Sequence, residues 1–127
     1  MSDISIKVCG MKDPENILAV AQLDPDYMGF IFYKASPRYA GTLDPVVIRQ
    51  VPSHICKVGV FVNETEQEIQ TIINKYDLQA IQLHGNETPD MCKTLKEDGI
   101  CTIKALPVMG KETLDLAKTY DAACDYI

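Results

Sequence analysis

No apolar run among the 127 residues approaches the roughly 20 that a helix needs to cross a bilayer. The first residues also lack a charged-then-apolar signal pattern, so the expected address is the cytoplasm. Paired cysteine spacings are missing as well. Cys9, Cys56, Cys92, Cys101 and Cys124 are odd in number and contain no CxxC pair, which argues against a disulfide framework or a zinc site and predicts reduced thiols. Positive charge is scarce: 12 Lys and Arg stand against 18 Asp and Glu, a net charge of -6. Nucleic acid and anionic membranes demand clustered cations, so neither is expected as a partner. A small anionic ligand needs only a few local donors and stays open. The length allows one core and not two, so a single domain over residues 1–127 is expected.

What is present is an alternation of short apolar strands and amphipathic helices. Ile4, Ile6 and Val8 supply the apolar positions of a first strand. Gly10 permits a sharp exit from it, and Asp13-Pro14 reads as cap and first residue of a helix carrying Ile17, Leu18, Val20 and Ala21. Cys9 is thereby displayed at the carboxyl end of that strand, the rim where parallel α/β sheets bind ligands. Tyr27 to Tyr33 is a continuous apolar run, as expected of a strand buried on both faces, and Asp44-Pro45 opens a helix through Gln50. Lys57 to Val62 is a third strand. Thr65 then caps a helix with Ile69, Ile72 and Ile73, and Glu68 is placed to complete a capping box. Ala80 to Leu83 and Ile100 to Ala105 are further strands, separated by a helix from Thr88-Pro89 to Lys96. A helix from Lys111 to Tyr120 follows, and Asp125-Tyr126-Ile127 opens a sixth strand.

Such alternation implies a parallel sheet with right-handed crossovers. Length alone favours a flavodoxin-like doubly wound sheet, because a (β/α)8 barrel typically takes 200 residues or more. The loops point the other way. Lys7-Val8-Cys9-Gly10-Met11 with Glu15, Gly29 to Tyr33 leading to Ser36-Pro37-Arg38-Tyr39, Val58 to Asn63, Gln82 to Glu87 and Ile103-Lys104-Ala105 recur along the chain. Together these stretches closely resemble the phosphoribosylanthranilate isomerase family of tryptophan biosynthesis, which is built as a TIM barrel. The resemblance implies an incomplete (β/α)8 barrel, with five βα units and the start of strand six in sequential parallel order.

It also implies an intramolecular aldose-ketose isomerisation without a metal or organic cofactor. In that Amadori rearrangement N-(5'-phosphoribosyl)anthranilate becomes 1-(2-carboxyphenylamino)-1-deoxyribulose 5-phosphate. Cys9 matches the family's general base, a role that requires local activation because an ordinary thiol is mostly protonated at neutral pH. From position alone, an unpaired cysteine is more often a small buried hydrophobe. Arg38 matches the arginine set against the anthranilate ring and carboxylate, a task suited to a planar bidentate guanidinium. His84 matches a pocket histidine and is expected to bind substrate; a histidine that merely holds its loop is the alternative.

His54 has no motif around it and is given no role. Cys56, Cys101 and Cys124 fall at expected strand positions and Cys92 on a helix, where packing accounts for them. Asn63 and Glu87 lie at the correct rim, but capping and turn chemistry explain them equally well. The family's general acid, an aspartate ending strand six, and its glycine-rich phosphate segments fall past Ile127. Asp125 precedes the strand core and is expected at the opposite end from Cys9. The 127 residues are therefore expected to be an amino-terminal portion of such an enzyme, with little activity alone and with self-association through unpaired strand edges. The competing reading is a self-contained flavodoxin-like domain that binds an anionic small molecule or a protein without catalysis. Strand order separates the two.

Overall fold

The computed structural model describes residues 4–127. Ten elements alternate: β1 Lys7–Val8, α1 Pro14–Ala21, β2 Tyr27–Ile31, α2 Pro45–Arg49, β3 Cys56–Phe61, α3 Glu66–Tyr76, β4 Ala80–Leu83, α4 Pro89–Glu97, β5 Cys101–Lys104 and α5 Glu112–Tyr120. The strands form one parallel sheet in the order β1-β2-β3-β4-β5. A flavodoxin-like order would place β2 at an edge; here β2 pairs with both β1 and β3, which removes that alternative.

Sequential order with crossovers of one hand puts every helix on the same face of the sheet. The burial pattern agrees. Met28 and Phe30 on β2, Phe61 on β3, and Ile81 and Leu83 on β4 pack with Ile17, Ile48, Ile69 and Leu95 of the helices in one core. The alternate residues Val58, Val60 and Ala80 are buried on the other, concave face and stand outside that cluster. Two-sided burial explains why β2 reads as a continuous apolar run.

The concave face is rolled rather than flat. Lys7 on β1 donates from Nζ to Oε1 of Gln82 on β4, three strands away. A cavity of about 220 Å³ is lined jointly by Ser5, Lys7, Tyr27, Ile103 and Tyr126, from both margins of the sheet. The Tyr126 hydroxyl faces Tyr27 across it, and this neighbour first, then burial, raises the Tyr27 hydroxyl above its ordinary value. The architecture is thus five βα units of an incomplete (β/α) barrel.

The caps that start the helices are the ones the sequence marks. Side-chain oxygens of Asp13, Asp44 and Thr88 accept from Asn16, Val46 and Met91 N–H at 3.0, 2.9 and 3.2 Å, each followed by proline at the first helical position. Thr65 accepts from Glu68 N–H at 3.2 Å, but the box is only half made: the Thr65 N–H donates to Oε1 of Glu64 at 3.0 Å, not to Glu68. The first strand is shorter than the alternation predicts. Ile4 and Ile6 are 78% and 59% exposed, because no strand or helix of the described residues covers that margin. Cys124 lies in the turn after α5 rather than on a strand, buried with Cys92 of α4, while Cys56 and Cys101 are half-buried. The expected sixth strand is one parallel bridge, Ile103 with Tyr126. Asp125 Oδ2 accepts from Thr102 N–H at 2.8 Å near the start of β5, at the opposite end from Cys9 as expected. Among the described residues no helix is long and apolar enough to cross a membrane.

Candidate active site

All three residues singled out from the sequence lie at the carboxyl ends of strands. Cys9 follows directly on β1, Arg38 stands in the loop after β2, and His84 follows directly on β4. Each is exposed. Exposure of Cys9 removes the reading of it as a buried packing residue.

Cys9 and Arg38 each lie against a glycine. The Cys9 sulfur lies over Gly29 of β2, on the concave side; a Cβ at residue 29 would fall 2.7 Å from Sγ. Gly10 has φ +76°, in the left-handed region that glycine tolerates, and turns the chain away from the strand. Over it lies the Arg38 guanidinium, so close that a Cβ there would stand 2.3 Å from Nη1. The guanidinium from the loop after β2 therefore overlies the glycine that follows Cys9.

The Arg38 loop is held by its own backbone. The Arg38 N–H donates to Ser36 Oγ at 3.1 Å, Tyr39 N–H to Ser36 O at 3.1 Å, and Ala40 N–H to Ile31 O at 2.7 Å. Lys12 Nζ donates to Pro37 O at 3.1 Å, tying the turn after β1 to the loop after β2. His84 stands further round. Three strand spacings separate β4 from β1, about 14 Å on a flat sheet and less on a rolled one. The mouth thus offers a thiol, a guanidinium and an imidazole on three separate turns.

Beneath His84 is a buried ionic cluster that the sequence reading did not find. Lys104 Nζ lies 3.2 Å from Glu87 Oε1, and both side chains are only 1% exposed. The Glu87 carboxylate also accepts from Asn63 N–H and Gly85 N–H, each at 2.8 Å. Lys104 donates to the carbonyls of Leu83, Gly85 and Ala105 at 3.2, 2.8 and 3.1 Å. Burial alone would raise the Glu87 carboxyl; hydrogen bonds from the N–H groups of Asn63, Glu87 itself and Gly85, and from Lys104, outweigh it and hold the carboxyl below its ordinary value. Tyr120 of α5 completes the cluster, donating from its hydroxyl to Glu87 O at 2.6 Å. The available signal was a lysine within the otherwise apolar stretch Ile100 to Ala105 and a glutamate three residues past His84. His54, given no role, pairs with Asp24 at 2.7 Å on the surface.

Comparison with known proteins agrees with this geometry. Residues 6–127 match the family model described as N-(5'phosphoribosyl)anthranilate (PRA) isomerase. The N-(5'-phosphoribosyl)anthranilate isomerase of Phocaeicola vulgatus is 41% identical over 121 residues, covering 95% of this chain and 57% of that protein. The same-named protein of Parabacteroides distasonis is 41% identical over 124 residues, covering 95% and 56%. Among solved structures, phosphoribosyl anthranilate isomerase from Thermotoga maritima superposes with a TM-score of 0.84 at 31% identity, covering 97% of this chain and 60% of that one. A phosphoribosyl anthranilate isomerase in complex with reduced 1-(o-carboxyphenylamino)-1-deoxyribulose 5-phosphate matches with a TM-score of 0.84 over 98% of this chain and 66% of that one. The chain spans a little over half the length of the curated relatives it matches. With a family match over nearly all its residues, and the sequential strand order that this fold requires, the chain belongs to the N-(5'-phosphoribosyl)anthranilate isomerase family.

Proposed function

We propose that the protein serves tryptophan biosynthesis in the cytoplasm by converting N-(5'-phosphoribosyl)anthranilate to 1-(2-carboxyphenylamino)-1-deoxyribulose 5-phosphate. The observation that carries this reading is the seating of the Cys9 sulfur over Gly29 beside the Arg38 guanidinium over Gly10. An anthranilate carboxylate held by Arg38 brings the attached sugar carbons next to the thiol.

In the proposed reaction a general acid protonates the furanose ring oxygen, and the C1–O bond breaks to leave a protonated Schiff base. Cys9, as thiolate, takes the proton from C2. The C2 electron pair forms the C1–C2 double bond of an enolamine and neutralises the nitrogen. Proton transfer to C1, with loss of the C2 hydroxyl proton to a base, gives the ketone. Arg38 binds the anthranilate carboxylate by bidentate hydrogen bonds, and His84 binds substrate from the opposite side of the mouth.

The general acid and the phosphate-binding segments that the family reading calls for fall outside the 127 residues. Full turnover is therefore proposed for the chain continued through an eighth strand. General acid catalysis contributes ~10²–10⁴-fold, so the 127 residues by themselves should turn over slowly. We propose that they form one folding unit and that alone they self-associate along the margins of the sheet. The test is a fluorescence assay following loss of the anthranilate adduct, run on the 127-residue chain and on the continued form. Turnover in the continued form that Cys9→Ala abolishes supports the assignment; unchanged turnover removes Cys9 from the mechanism.

A further inference from the structure

We infer that Glu87 and Lys104 are positioning residues for His84, setting its imidazole at the mouth through the backbone on either side of it. The inference rests on the isomerase reading in one respect: that reading makes His84 a substrate ligand.

The bonds of the pair go to the turn rather than to the body of the core. The Leu83 carbonyl, on the residue before His84, is taken by Lys104 at 3.2 Å. The Gly85 N–H and carbonyl, on the residue after it, are taken by Glu87 at 2.8 Å and Lys104 at 2.8 Å. The N–H of His84 itself donates to Phe61 O at 2.9 Å. The backbone is fixed on both sides of a residue whose own side chain is exposed. Neighbouring turns are drawn into the same arrangement. Glu87 Oε2 accepts from Asn63 N–H at 2.8 Å, and Asn63 Oδ1 accepts from Asn86 N–H at 2.6 Å. Asn63 is held at φ +52°, and a Cβ at Gly85 would collide with its Oδ1 at 2.4 Å.

Stability is a weak reason for such a pair, since well-packed apolar residues of similar volume are often neutral or stabilising replacements for a buried ion pair. What an apolar pair could not do is collect two N–H groups and three carbonyls from three βα turns. Removal of one partner leaves a buried charge alone and destabilises the fold. Removal of both leaves no lone buried charge and weakens or takes away the loop bonds. That difference separates positioning from scaffolding.

The experiment compares wild type, Glu87→Gln, Lys104→Met and the double variant. The chain has only two histidines, so the imidazole and amide NMR signals of His84 can be followed with those of His54 as an internal control. Either single variant should lower the melting temperature, and the double variant should recover most of that loss. The His84 and Gly85 amides should nevertheless shift and exchange faster in the double variant, with His54 unmoved. The probe is reduced 1-(o-carboxyphenylamino)-1-deoxyribulose 5-phosphate, whose Kd should rise at least tenfold in the double variant. His84 signals that coincide with wild type, or a Kd within twofold of it, would overturn the inference. Probe affinity is read on the chain continued through an eighth strand; absence of binding to that wild type would instead count against the isomerase reading, and the His84 spectrum of the 127-residue chain would still decide positioning. Should the double variant not fold, Tyr120→Phe removes only the 2.6 Å bond to Glu87 O. It should shift the same two amides by a smaller amount, and unmoved amides there would overturn the inference.

Discussion

Cys9 Sγ and Gly29 touch across the first two strands: a Cβ at residue 29 would lie 2.7 Å from the sulfur and 3.2 Å from Cys9 Cα. The second strand can therefore carry only hydrogen at this position while the thiol keeps its place. Gly29→Ala should push Cys9 off its line. A displacement near 1 Å costs about 100-fold in kcat, while the overpacking costs about 1–3 kcal/mol of stability. Turnover of the continued form and a thermal melt of the 127-residue chain check the two halves; unimpaired turnover would place the reacting base elsewhere.

Arg38→Lys tests whether geometry or charge matters at the other side of the turn. Lysine keeps the cation and loses the planar fork. KM should rise by about 10- to 100-fold, the equivalent of one charge-assisted hydrogen bond, with a smaller change in kcat. An unaltered KM would leave Arg38 as a solvated loop residue.

Acid should weaken the fold through Glu87. Its folded-state carboxyl is held below the ordinary value of 4.5, so on acidification the unfolded chain takes up the proton first. The contribution is complete above about pH 4.5 and is lost as the pH falls through the folded value. Melting temperatures measured from neutral pH downward should show this loss in wild type. The loss should shrink in the Glu87→Gln/Lys104→Met double variant; an identical acid profile in the two would remove Glu87 as its source.

Self-association of the 127-residue chain is the outcome expected from its margins. The outer side of β1 and the Tyr126 side of β5 meet no further strand among the described residues, and Ile6, Tyr126 and Ile127 are exposed beside them. Light scattering at rising concentration should show dimers or larger species. A compact monomer throughout would refute this.

Much of the architecture was legible because its signals are local. Asp13-Pro14, Asp44-Pro45 and Thr88-Pro89 mark helix starts by chemistry that acts within three residues, and each is a cap in the structure. The run Ala80 to Leu83 is a strand with those bounds because the turns on either side of it are sharp. What failed depends on neighbours. Ile4 and Ile6 alternate like strand residues, yet the ladder with β2 holds only Lys7 and Val8, and both isoleucines are exposed. The Glu64 carboxylate displaced Glu68 at the Thr65 N–H, a competition between adjacent acids that spacing does not resolve. The placement of Cys9, Arg38 and His84 past the carboxyl ends of their strands was legible from the strand-then-turn pattern. The Glu87–Lys104 pair was not, because its meaning lies in backbone atoms of residues 63, 83, 85 and 105, gathered from separate turns.

The bond from Lys7 to Gln82 has a consequence for the chronology of folding. Only Lys7 and Val8 enter the ladder with β2, and two residues of pairing give a strand little hold of its own. The bond from Lys7 reaches a partner 75 positions later, so this strand gains its last hold only when the fourth strand is in place. Residues 7–10 are then among the last to become fully ordered, and their pulse-labelled amides should be protected after those of β3 and β4.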